Sequence, residues 1–138
     1  MRNISFSLFF IFMGCTQKII EEDLKNLNGY WEIEKVTFPN GETKDYSVST
    51  TIDYIELKDG GGFRKKVQPR FNGTFETSND AEFFEIVHHE NGFEFRYKNA
   101  DNEWQEKLLF ISNDRFSVIN QDTLRYTYKR FQPIDATP

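Results

Sequence analysis

The chain has 138 residues, 38% of them hydrophobic and 28% charged, enough for one packed core of ordinary globular composition. Its formal net charge of -5, and a basic run confined to Arg64–Lys66 with Arg70 nearby, exclude the concentrated cationic face that nucleic-acid binding needs. A single cysteine excludes an intramolecular disulfide, and 15 phenylalanines point to β structure, because aromatic side chains suit pleated surfaces and fill wide interiors.

Residues 1–14 read as an export leader. Arg2 supplies a positive start, and the stretch Ile4–Met13 is apolar apart from Ser5 and Ser7. It falls well short of the about 20 residues that a membrane span requires. The stretch ends in Phe12-Met13-Gly14-Cys15, which resembles a lipobox, the site where bacterial lipoprotein maturation attaches diacylglycerol to a cysteine thiol and cleaves before it. Gly14 is small enough for the peptidase pocket, while Phe12 and Met13 stand where leucine and a small residue are usual. The resemblance implies a chain anchored by acyl groups on Cys15, set against an ordinary secretory signal that happens to end beside a cysteine. At about 0.8 kcal/mol per buried methylene, two or three acyl chains hold a protein to a bilayer effectively permanently.

Residues 15–27 then form a polar tether with Glu21-Glu22-Asp23 at its centre and a helical turn over Asp23–Leu27. An acidic patch just after the lipidated cysteine resembles a surface-export signal of some Gram-negative groups. Thr16 in place of Asp directly after the cysteine points to the outer membrane by analogy with the enterobacterial sorting rule, so the expected location is the cell envelope, facing the periplasm or the exterior.

From Gly29 onward short alternating segments recur about every ten residues between turn-forming residues, and this periodicity predicts antiparallel strands. They run over residues 30–38, 52–58 and 63–67, then 70–77 beyond Pro69, then 82–90, 92–98, 103–112, 115–120 and 123–131. Alternation is clean in 92–98, where Phe93, Phe95 and Tyr97 share one face and Glu94, Arg96 and Lys98 the other. Asn91-Gly92 is the strongest hairpin signal. Tight connections and no parallel crossover favour an up-and-down meander of about eight strands, which as a closed barrel has no exposed edges. A two-sheet sandwich satisfies the same pattern. Residues 28–132 are the expected barrel, followed by a flexible tail over 133–138.

Gly29-Tyr30-Trp31 at the head of the first strand resembles the Gly-x-Trp signature of lipocalins. In that family the tryptophan closes one end of the barrel and an arginine of the last strand packs over its ring. The resemblance assigns those roles to Gly29, Trp31 and Arg130. Arg130 is preferred to Arg125 because it shares parity with Leu124, Tyr126 and Tyr128. The whole layout is similar to short lipocalin-like lipoproteins of Bacteroidota, although the chain is shorter than most lipocalins and lacks their disulfides.

Two functions fit this pattern. In the first, Ile33, Leu57, Phe75, Phe84, Phe95, Leu108, Phe116 and Tyr126 line an interior that accepts a small apolar ligand; the alternative is that these side chains simply fill the barrel. In the second, the protein binds an envelope protein or glycan through its surface, with Tyr46, Tyr54 and Trp104 as exposed aromatic candidates. Catalysis finds no support. His88 and His89 are the only histidines and, adjacent on a strand, point to opposite faces, so they cannot chelate one metal together. His88 is expected inside as a hydrogen-bonded structural residue. Gly60-Gly61-Gly62 lacks the Lys-Ser/Thr of a phosphate loop and reads as a hairpin tip. The basic run Arg64–Lys66 reads as a solvated strand edge that discourages pairing with a neighbour. No cofactor or metal is expected.

Overall fold

The computed structural model describes residues 18–47, 51–70 and 72–132. Cys15, the leader over 1–14, Phe71 and the tail over 133–138 therefore lie outside the described residues. A 3-10 helix, Glu21–Leu27, precedes nine strands: β1 Gly29–Thr37, β2 Thr43–Asp45, β3 Ile52–Lys58, β4 Gly61–Pro69, β5 Phe75–His89, β6 Gly92–Lys98, β7 Glu103–Ile111, β8 Arg115–Asn120 and β9 Arg125–Arg130.

All pairings are antiparallel between sheet neighbours, in the order β2-β1-β3-β4-β5-β6-β7-β8-β9, and β1 also pairs with β9. Eight strands thus form a closed barrel, and β2 is a short flange on the outer half of β1. The start of β1 pairs with β3 through Gly29–Trp31, whereas its end pairs with β2 through Lys35–Thr37. A bulge between Ile33 and Lys35 lets Ile33 and Val36 both face the same side of β9 as Tyr128 and Tyr126. The meander expected from hairpin spacing is the meander observed, and closure rather than a sandwich is its outcome.

Local chemistry accounts for the turns. Asp59 and Gly60 both take positive φ, 52° and 80°, so the β3–β4 hairpin is a two-residue turn whose twist matches that of its strands. Next to it, a Cβ on Gly62 would overlap the carbonyl oxygen of Glu56, so glycine is what allows β4 to lie so close to β3. Of the expected strand 70–77 only 75–77 is extended, as the start of β5; before it the chain turns, with Arg70 N–H donating to the Thr74 carbonyl at 2.8 Å and the Asn72 side chain accepting from Thr74 N–H at 3.1 Å. Gly73, at φ 80°, supplies the left-handed residue. β5 then runs 15 residues without a break. The exposed strand β2, Thr43-Lys44-Asp45, has no hydrophobic pattern and was not foreseen.

Within the tether expected over 15–27, the helical turn expected over Asp23–Leu27 forms, but it is packed against the barrel. The tether's second half is the 3-10 helix, and Leu24 and Leu27 are buried in the main core with Trp31, Phe116 and Val118. The acidic Glu21, Glu22 and Asp23 occupy the helix's first turn, where they oppose the exposed N–H groups. The packed unit therefore begins before residue 28.

Candidate functional site at the open end of the barrel

The two ends of the barrel differ in chemistry. At the end closed by the helix, Trp31 is wholly buried, donates its indole N–H to the Leu27 carbonyl at 2.8 Å and meets the edge of Phe116 at a centroid distance of 4.7 Å. The Arg130 guanidinium lies 3.9 Å from the Trp31 ring centroid and donates to the carbonyls of Asn28 (2.6 Å), Asn26 (2.8 Å) and Asn113 (3.1 Å). One side chain thus ties the helix exit and the β7–β8 turn to the indole face. Gly29 has φ 120°, and a Cβ there would stand 2.6 Å from Arg130 Nη1, which explains glycine two residues before the tryptophan.

Above this seal the interior is apolar. Phe84, Phe95, Leu108 and Phe116 belong to the core cluster, with Ile33, Leu57 and Tyr126 packed against it. The ring pair Phe84–Phe95 packs edge to face at 5.1 Å and Phe116–Tyr128 stacks at 4.7 Å. Most side chains expected to surround a ligand therefore fill the closed half. Phe75 is elsewhere: its ring stacks on Tyr30 at 4.3 Å and touches Phe131. Tyr30 faces away from the interior, opposite Tyr54, so Phe75 is part of an outer aromatic row. Phe75 pairs with Pro69, on the outer face that also carries Phe63 and Phe83.

A buried charge layer interrupts the apolar interior. Arg64, read from the sequence as part of a solvated edge, is buried; its Nη2 donates to Asp53 Oδ2 at 2.8 Å, and Nη1 lies 3.5 Å from the Tyr97 hydroxyl and 3.8 Å from Glu106 Oε1. Its guanidinium carbon is 4.8 Å from the Tyr128 ring centroid. Lys66 Nζ reaches the other Asp53 oxygen at 2.5 Å. Parity explains the arrangement: Arg64 is opposite Ile55 and Lys66 opposite Asp53, all on the inward face, while Lys65 points outward over the Phe63 ring. Burial raises the Asp53 carboxyl, but the charges and hydrogen bonds of Arg64 and Lys66 outweigh it and hold the group below its ordinary value. Burial pushes the Tyr128 phenol up to about 12 and Tyr97 upward as well, with Arg64 partly opposing both.

This layer floors a cavity of about 630 Å³ in the open half. Trp104, Tyr126 and Tyr128 supply its aromatic wall, Glu106 and Asn120 its polar wall, and Asp80 and Glu82 on β5 its rim. Of the eight side chains expected to line a ligand space, Tyr126 alone borders this cavity. Trp104, expected outside, stacks on Tyr97 at 5.3 Å and faces in, because it sits opposite Tyr97 in the register. The signal for the layer was present in parity: Asp53 alternates with Ile55 and Leu57, and Glu106 with Trp104 and Leu108.

Elsewhere, His88 is exposed and stacks on Phe93 at 4.5 Å, rather than lying inside, because it closes β5 at the barrel's end. His89 Nε2 is 2.8 Å from Glu94 Oε2. Tyr46 is half-buried under Lys44, and Tyr54 lies in the outer aromatic row beside Tyr30 and Phe63. Among the described residues no three His, Cys, Asp or Glu side chains converge to hold a metal ion, and no helix is long and apolar enough to cross a membrane.

Strand order, closure of β1 on β9, one short helix over the narrow end and an arginine over a buried tryptophan define a lipocalin-like barrel. Solved structures of similar outline include a lipocalin-like protein from Bacteroides uniformis, 11% identical, with a TM-score of 0.47 over 77% of this chain and 99% of that one. An uncharacterized protein from Bacteroides eggerthii is 9% identical, with a TM-score of 0.48 over 76% and 99%. Apocrustacyanin C1 is 8% identical, with a TM-score of 0.47 over 83% and 67%. No family model matches the chain, and no curated protein does. The likeness is one of outline, and no ligand or partner passes to this chain through it.

Proposed function

We propose that the protein is a lipid-anchored binding protein of the cell envelope that holds a small molecule in the open half of its barrel. The carrying observation is the cavity of about 630 Å³ above the Arg64–Asp53 layer, which has the concave shape, aromatic wall and few convergent polar groups of a small-molecule site. The apolar ligand anticipated from the sequence is replaced in this reading by one with a polar group, since the apolar side chains are packed against one another below. Anchoring rests on the leader sequence and the lipobox-like Gly14-Cys15. The test is extraction of small molecules from protein isolated without detergent from the native host. A stoichiometric molecule is expected from wild type and not from Asn120→Trp, which fills the cavity; an empty wild-type barrel would refute the reading. Cys15→Ala should release the protein from membranes, and unchanged attachment rejects the anchor.

A second reading is favoured by the outer surface. Phe83 is 64% exposed and borders, with Phe63, an open groove of about 1130 Å³ lined by residues of β3 to β7, among them the outward-facing Glu85, Arg96 and Glu103. Such a mixed aromatic and charged face suits an envelope protein or glycan. A photo-crosslinker at position 83 that captures a single species in cells would support it.

A further inference from the structure

The charges around the open-end cavity carry the binding reading one step further, to the class of ligand. Three cations border the space: Arg64 and Lys66 face inward and are engaged by Asp53 at 2.8 and 2.5 Å, while Lys65 points outward with its ammonium over the Phe63 ring. Arg64 Nη1 lies at the Tyr97 hydroxyl and Glu106, and the guanidinium face covers Tyr128, so the Arg64 charge is compensated by groups of the protein itself. The acids outnumber the cations. Beyond Asp53, three carboxylates line the space: Glu106 near the floor, 13% exposed, and Asp80 and Glu82 at the rim. Glu82 stands across from Arg64 in the β4–β5 register, yet the close ion pairs of Arg64 are with Asp53 and Glu106.

The inward-facing groups therefore carry a surplus of negative charge, with carboxylates at the rim and at Glu106. Low-dielectric walls focus that field into the cavity and raise the local concentration of cations. Trp104 and Tyr126 add ring faces, whose negative quadrupole attracts the same charge, together with apolar area for an organic body. We propose that the cavity selects organic cations, an ammonium or amidinium group carried on an aromatic or apolar body, and disfavours carboxylates of the same shape. The proposal rests on the reading of the barrel as a binding protein.

Three probes of one shape separate charge from fit: tryptamine, the neutral tryptophol, and indole-3-acetate, titrated calorimetrically into the intact protein at low and physiological salt. Tryptamine is expected to bind at least about tenfold more tightly than tryptophol, a difference of about 1.4 kcal/mol, with indole-3-acetate weakest and the margin narrowing as salt rises. In Asp80→Asn/Glu82→Gln, both rim substitutions on exposed side chains, the tryptamine margin should fall to about threefold or less while tryptophol binds as before. Circular dichroism confirms that the variant is folded. Equal binding of tryptamine and tryptophol, or preference for indole-3-acetate, overturns the cation proposal and leaves the barrel as a binding site. No saturable binding of any probe overturns it too, and extraction from the native host then decides whether the binding reading falls with it.

Discussion

A methyl group at position 29 would meet the arginine that covers Trp31, so this glycine holds the seal as firmly as the two side chains do. Gly29→Ala has to adopt φ near 120° and displace the guanidinium; strained backbone costs about 1–3 kcal/mol and a lost cation–π contact about 0.5–2 kcal/mol. The expected destabilisation in urea is therefore about 2–4 kcal/mol, and a variant within 0.5 kcal/mol of wild type, roughly the scatter of a surface substitution, would show that the stack is idle. The charge layer behaves differently. Asp53→Asn leaves Arg64 buried beside a neutral group and should cost about 3–5 kcal/mol, whereas Asp53→Leu/Arg64→Met removes both charges and should recover at least half of that loss. A double variant no more stable than the single one would mean that Arg64 contributes through packing alone.

Leu24 and Leu27 make the 3-10 helix a lid, since both are buried against the base of the barrel. Leu27→Ala should lower stability by about 2–5 kcal/mol, as a cavity in a packed core does; the indifference of a solvated spacer to this change is the contrary result. That helix also shows where sequence legibility ended. Strands β3, β6, β8 and β9 were readable because alternation and two-residue turns are local properties, whereas closure depends on the distant pairing of β1 with β9 and the pattern allowed a sandwich as well. A helical turn is expected over Asp23–Leu27, but its packing is not legible, because seven residues with two leucines give too short a period to distinguish a lid from a tether. The first part of strand 70–77 failed for a related reason: its alternation was real, but Gly73 and the Asn72 side chain favoured a turn. The Arg64–Asp53 layer was legible only in pairs. A charged residue on an apolar face means little alone, and the register that sets Arg64 opposite Ile55 and Lys66 opposite Asp53 is not a local property.

The molecule as a whole is a closed sheet with an apolar half, a polar layer and an open half, and the layer's ionisation should set the pH range over which it stays folded. On the acid side, Asp53 is held below its ordinary value, so the stability it contributes is present above the unfolded-state pKa of about 3.9 and is lost as pH falls toward the folded value. On the alkaline side the sign reverses. Tyr128 titrates at about 12 when folded, against about 10 in an unfolded chain, so above pH 10 the unfolded state releases a proton that the native state keeps. The stability gained from keeping that phenol neutral is complete below pH 10 and disappears as pH approaches 12, a loss of up to roughly 2–3 kcal/mol. Tyr97, also raised by burial, adds to the same loss. Urea unfolding between pH 8 and 11.5 should therefore show stability declining above pH 10. Phenolate absorbance from the buried tyrosines should appear together with loss of near-ultraviolet dichroism. Tyr128→Phe retains the ring under Arg64 and removes the phenol, so its decline above pH 10 should be shallower than that of wild type. If all six tyrosines titrate near 10 in a barrel that keeps its near-ultraviolet dichroism, the phenols of the layer are open to water and the cavity floor is not sealed.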